Sequence, residues 1–185
     1  MNSIPTLSAL ACTLILAAVP ADLAAQDLKA DLIADFERQR ANVLAYVDAM
    51  PASGLRSAPT EGVRDFAQQI EHVALGNVNI VESGLDADRI DLGLDRDAYL
   101  ADKTELMRMV NMAFDRVRDV IGAMSQADLM ATGTLFGQVP DVPRWKIART
   151  AYEHGVWTLG ATVPYLRLQG ATPPSYDLVP AGGMQ

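Results

Sequence analysis

Two histidines, His72 and His154, are the only imidazoles in this chain of 185 residues. An imidazole can bind a metal through a ring nitrogen or carry a proton near neutral pH, so chemistry of either kind must run through these two side chains. The single cysteine, Cys12, excludes an internal disulfide and a cysteine-rich zinc site. No serine–histidine–acid pattern, phosphate-cradling glycine loop or dinucleotide fingerprint occurs. The stretch 85–101 carries Asp86, Asp88, Asp91, Asp95 and Asp97. A calcium loop of the EF-hand type needs D-x-[DN]-x-[DN]-G. Asp86 and Asp88 fit its first two positions, but Ile90 takes the third and Asp91 replaces the glycine, so the stretch reads as a solvated acidic loop. Lys and Arg total 15 against 23 Asp and Glu, a net charge of −8 with no basic run. That balance argues against nucleic acid as a partner.

Four amphipathic segments must position the histidines. Half of the residues are hydrophobic but only 6% are aromatic, a composition that favours helices over a β-sandwich. The first segment, 27–50, repeats Leu28, Leu32, Phe36, Val43, Val47 and Met50 at helical spacing and stops at Pro51 and Gly54. The second, 66–84, opens on the capping box Asp65–Gln68 and carries Phe66, Ile70, Val73, Asn77 and Ile80 on one stripe. The third, 103–124, follows a cap signal at Asp102 and Glu105 and carries Leu106, Val110, Phe114, Val117, Ile121 and Met124. The fourth, 143–169, has Pro143 in its first turn, Gly170 at its end and Pro173 and Pro174 beyond. No segment alternates with period two. The expected fold is therefore all-α, a four-helix bundle with long connections at 85–101 and 125–142.

On the second helix His72 flanks the apolar stripe, in line with Gly76, Asn79 and Ser83. On the fourth, His154 belongs to the inward stripe Ile147, Ala151, His154, Thr158, Ala161, Tyr165 and Leu168. Inward groups of facing helices can meet and form a site. The bland alternative is two polar core residues hydrogen-bonded to neighbours such as Asn79 or Thr158. Glu153 is the nearby carboxylate of helix four but lies one residue off the His154 face. Gly155, Gly160 and Pro164 also fall in that segment, a break of helix rules that marks either a site or a close contact with a kink. Trp145 and Trp157 fall on its other face as packing residues, with interface cover the other reading for Trp157.

Residues 7–19, LSALACTLILAAV, are too short to span a bilayer, which takes about 20 apolar residues, and suit a secretory leader. Cleavage is expected after Ala25, leaving Gln26 first, with Ala21 as the second choice. The domains are then a signal peptide at 1–25, a bundle at 26–174 and a fraying tail at 175–185, with the product secreted or periplasmic and without a stable membrane span. About 160 residues without cysteine remain, enough for a self-sufficient core.

The pieces AMPASGLRSAPTEGVRDFAQQIEHVA, MSQADL, TLFG and EHGVWTLGATVPYLRLQGATPP follow one another in an order that resembles the DinB-like superfamily of helical bundles, also called damage-inducible or YfiT-like, over about 30–175. The resemblance implies a divalent metal, zinc or nickel, held by three histidines. One comes from helix two, and two come from helix four, eleven and seven residues before the tyrosine of YLR. Carried onto this chain, those positions are His72, His154 and Thr158. A neutral threonine hydroxyl is a weak ligand, and a catalytic zinc normally has three protein ligands plus water, so the expected metal is weakly bound or absent.

Three functions follow from this reading. The first is a metal-dependent hydrolase or thiol transferase using His72 and His154, as in some relatives; the missing ligand and export from the reduced thiol pool count against it. The second, preferred, is a non-catalytic domain with a remodelled central pocket, lined by His72, Asn79, His154 and Thr158, that takes a small-molecule ligand. The third is an oligomeric module, because Trp145, Tyr152, Val156, Leu159 and Val163 give helix four a second apolar face that a partner helix, as in a homodimer, could cover.

Overall fold

The apolar stripes close around one core in a computed structural model that describes residues 21–176, with side chains from residue 28 onward. Positions 1–20 of the expected leader, Cys12 among them, lie outside the described residues, as do residues 177–185 of the expected tail. In chain order the elements are α1 (Ala21–Ala49), α2 (Phe66–Gly84), α3 (Arg96–Ala101), α4 (Lys103–Ala123), α5 (Gln126–Met130), β1 (Thr132–Leu135), β2 (Val139–Pro143), α6 (Arg144–Gly160) and α7 (Val163–Leu168). Helix α2 packs on both α4 and α6, and so does α1. The four long helices thus form a square, with α1 diagonal to α2 and α4 diagonal to α6. The stripes of the first three segments face inward: Phe36, Val43, Val47, Ile70, Val73, Asn77, Val110 and Phe114 are all buried. The capping box is present, with the Asp65 carboxylate accepting from the Gln68 amide and the Gln68 side chain from the Asp65 amide.

The fourth segment is not one helix. Pro164 has no amide to offer the Gly160 carbonyl and its ring collides with it, so α6 ends at Gly160 and α7 restarts at Val163. There Pro164 occupies the first turn, where a missing amide costs nothing. Thr162 is buried at the joint, its hydroxyl donating to the Leu159 carbonyl at 2.7 Å. The restart rotates the stripe. Ile147, Ala151 and Thr158 are buried, but Leu168, expected inside, is exposed.

The long connections contain structure that helical periodicity could not reveal. The acidic one carries α3 and is tied down at its start: Arg144 pairs with Asp86, and Arg116 donates to the Asp88 carbonyl. Asp91 accepts from the Gly93 amide, an internal turn bond. The second connection holds α5 and an antiparallel hairpin of β1 and β2, with Thr132 opposite Pro143 and Leu135 opposite Val139. Phe136 and Gly137 both take positive φ, 54° and 66°, as a tight hairpin turn of the primed type requires. The fold remains all-α in its core. At the tail, Tyr176 packs partly buried against the core, one residue past the expected start of fraying.

Candidate functional site

His72 and His154 reach each other because α2 and α6 are neighbours in the square. Their Nε2 atoms stand 3.3 Å apart, and the rings meet edge to face with centroids 4.9 Å apart and an interplanar angle of 87°. Close approach of the two helices depends on small residues. A Cβ on Gly76, one turn after His72, would lie 2.9 Å from Cε1 of His154. A Cβ on Gly155 would lie 2.7 Å from both amide atoms of Gln39. Gln39 is fully buried; it donates to the Tyr152 carbonyl at 2.8 Å and accepts from Asn77 at 2.6 Å. This polar layer therefore fixes α6 against α1 and α2 at the residue next to His154.

A cavity of about 140 Å³ opens beside His72, lined by Arg64, Gln69, His72, Trp157, Thr158 and Ala161. Thr158, one turn after His154, is buried at its wall. Arg64 is the residue before the α2 cap, and its backbone is fixed by the Tyr165 hydroxyl, which donates to the Arg64 carbonyl at 2.9 Å. Gln69 in turn donates to the Tyr165 oxygen at 3.2 Å. Trp157 is 80% exposed at the rim, neither a core packing residue nor covered by another part of the described chain.

Burial and nearby positive charge favour the neutral form of both imidazoles. Burial pushes the pKa of His72 down, and the charge of Arg64 and the nearby His154 push the same way against an opposing pull from Glu71. Burial and then Arg64 also depress His154. The Glu71 carboxylate is committed elsewhere. Arg96 donates to its two oxygens at 2.7 and 2.8 Å and Tyr99 at 2.6 Å. Although burial works to raise its pKa, these bonds outweigh it and hold the carboxyl below its ordinary value.

Two sequence candidates lie away from this pocket. Asn79 is exposed, accepts from Arg89 at 3.2 Å, and lines a separate surface groove of about 330 Å³ beside the acidic connection. It sits nearly two turns beyond His72, too far along the helix to share its pocket. Glu153 is exposed and is not among the residues lining the pocket, as its position off the His154 face requires. The hydrogen-bond partner of His154 is His72 rather than Asn79 or Thr158. Arg64, Gln69, Trp157 and Ala161 were not read from the sequence as pocket residues. The signal for two of them was available: Gln69 precedes His72 by three positions and Ala161 follows Thr158 by three, each spacing that of one helix face.

The spacing of the pair suits a metal better than the groups around it do. Two nitrogens each about 2.0–2.1 Å from a tetrahedral zinc stand about 3.3–3.4 Å apart, so the spacing suits two corners of such a site. The rest of the donor set does not fit. Among the described residues no group of three His, Cys, Asp or Glu side chains could hold a metal ion, and the position where the resemblance puts the third ligand holds the neutral hydroxyl of Thr158. A metal-bound imidazole ordinarily donates its second N–H to an acceptor. The buried Nδ1 of His154 has no hydrogen-bond partner. Placing the proton on Nε2 of His154, donated to Nε2 of His72, leaves Nδ1 as a lone pair and avoids a buried orphan N–H. The residues fit a neutral hydrogen-bonded pair and do not fit a three-ligand metal centre.

No curated protein matches the chain. The model of the DinB superfamily matches residues 35–163, from the middle of α1 through the start of α7. With most of its length matched and a helical bundle that brings side chains of α2 and α6 together, the chain belongs to the DinB superfamily.

Proposed function

We propose that this DinB-superfamily domain is exported and binds a small molecule without turning it over, in a pocket remodelled from the place where the resemblance puts a three-histidine metal centre. The observation that carries the reading is the hydrogen-bonded imidazole pair at 3.3 Å beside a cavity with Thr158 at its third corner. A metal-activated water needs a strong donor set, and a catalytic imidazole is ordinarily oriented by a carboxylate. The lining supplies a guanidinium, an amide, a hydroxyl, an indole and a neutral imidazole instead. Support for export is the apolar run 7–19 and its short length.

The test is hydrolysis of ester, amide and lactone probes, and transfer of a low-molecular-weight thiol, by the metal-free protein and with added zinc or nickel. The expected result is no metal-dependent rate above background. A metal-dependent rate that His72→Ala and His154→Ala both abolish would replace the binding reading with an enzymatic one. N-terminal sequencing of the protein recovered from fractionated cells tests export; Gln26 at the start of an extracytoplasmic product is expected, and an intact Met1 in the cytoplasm would contradict it.

A further inference from the structure

The charge and shape of the pocket define its ligand more narrowly than binding alone. Of the six side chains that line it, Arg64 carries the one full charge and no carboxylate is present. Among the described residues the Arg64 guanidinium makes no hydrogen bond or ion pair, while the nearest acid, Glu71, is held by Arg96 and Tyr99. The pocket therefore presents a solvent-exposed guanidinium whose N–H groups are unbonded and which Glu71 attracts only through space. Tyr165 and the α2 cap that follows clamp the Arg64 backbone, which anchors the base of the side chain beside the pocket. A guanidinium offers two parallel N–H groups that match a planar carboxylate. A phosphate dianion calls for more positive charge than the one arginine of the lining supplies. The Thr158 hydroxyl supplies an uncharged donor beside it.

Size and apolar surface set the remainder. A volume of about 140 Å³ is the room of roughly five liquid waters, so the ligand has few heavy atoms inside it. At the mouth the indole of Trp157, 80% exposed, and the methyl of Ala161 form an apolar rim. An exposed indole against a charged pocket suits a ligand with one anionic end and one short apolar end.

We propose that the pocket binds a short-chain monocarboxylate, its carboxylate on Arg64 and its alkyl end over Trp157 and Ala161. The assignment rests on the ligand-binding reading above and adds the chemical class. Its test is NMR titration of the indole N–H signals with butyrate at fixed ionic strength, the Trp157 signal being assigned with Trp157→Phe. Butyramide serves as the uncharged isostere and inorganic phosphate as the competing anion. Saturable movement of the Trp157 signal by butyrate is expected, with butyramide and phosphate much weaker. Arg64→Gln is expected to weaken butyrate roughly 10- to 100-fold, the range of a charge-assisted hydrogen bond. Equal midpoints for butyrate and butyramide would overturn the carboxylate assignment while leaving a small-molecule pocket. Phosphate binding as tightly as butyrate, or an unchanged midpoint in Arg64→Gln, would also overturn it. No movement with any probe would remove both the assignment and the binding reading.

Discussion

Replacing Gly155 with alanine sets helix propensity against packing, and the structure decides which prevails. Alanine in a helix interior is better than glycine by about 1 kcal/mol, so propensity alone predicts a more stable protein. The new Cβ would stand 2.7 Å from both amide atoms of Gln39, where ordinary contact begins near 3.4 Å, so something must move by about 0.7 Å. Gln39 has no slack, being fully buried and bonded to Tyr152 on one side and Asn77 on the other. Each of those bonds, once broken, leaves a buried polar group unpaired at about 1–3 kcal/mol. Losing both and keeping the propensity gain gives a net destabilisation of about 1–5 kcal/mol, centred near 3. For a domain of this size that lowers the melting temperature by roughly 6–12 °C. Urea denaturation followed by circular dichroism measures it, with Gly160→Ala as control because nothing lies within 4 Å of a Cβ there. A double-mutant cycle sharpens the result: in a Gln39→Ala background the clash is gone, and Gly155→Ala should become neutral or stabilising. If Gly155→Ala is as stable as Gly160→Ala in the wild-type background, the Gln39 layer does not fix α6 as described.

Three further outcomes follow from the same contacts. Because His72 and His154 have pKa values below 6.5 in the folded state, the unfolded chain binds more protons just below that pH. Stability is thus fully present above about 6.5, falls as pH drops from there to the folded pKa values, and levels off beneath them; the His72→Ala, His154→Ala double variant should lack this component in denaturation curves taken between pH 7.5 and 5. Histidine NMR on the metal-free protein should show both rings titrating below the ordinary value, and His154→Ala should move His72 upward, since His154 lowers it. Tyr165→Phe removes the donor to the Arg64 carbonyl and the acceptor for Gln69. It should cost about 1–3 kcal/mol and make the segment around 51–65 more sensitive to limited proteolysis, whereas unchanged cleavage would mean that Tyr165 does not hold Arg64 at the pocket.

The first three long helices were legible because burial repeats with the helical period, and side-chain caps marked the starts of α2 and α4. Asp65–Gln68 marked a boundary to the residue. The imidazole pairing was legible for the same reason, His154 lying on an inward stripe and His72 on its flank. What periodicity could not express was a change of axis. Pro164 and Gly160 were visible as rule-breaking, but only the backbone shows that the helix restarts at Val163 and carries Leu168 outward. The hairpin escaped because two strands of four and five residues are too short to alternate convincingly, and its turn uses Phe136 in a conformation more usual for asparagine or glycine. Asn79 was misplaced because alignment along a helix face says nothing of distance along its axis. Arg64 was overlooked because its place at the mouth depends on a hydrogen bond from Tyr165, 101 residues away.

Zinc titration of the metal-free wild-type protein beside Thr158→His asks whether the pocket lacks only its third corner. Thr158 is one turn from His154 and lines the cavity with His72, so an imidazole there would offer a third nitrogen beside the pair. The predicted result is weak zinc binding by the wild type, tightened by about 100-fold or more in Thr158→His. Tight binding of one zinc per wild-type chain, at about micromolar affinity or better and lost in both His72→Ala and His154→Ala, would contradict it.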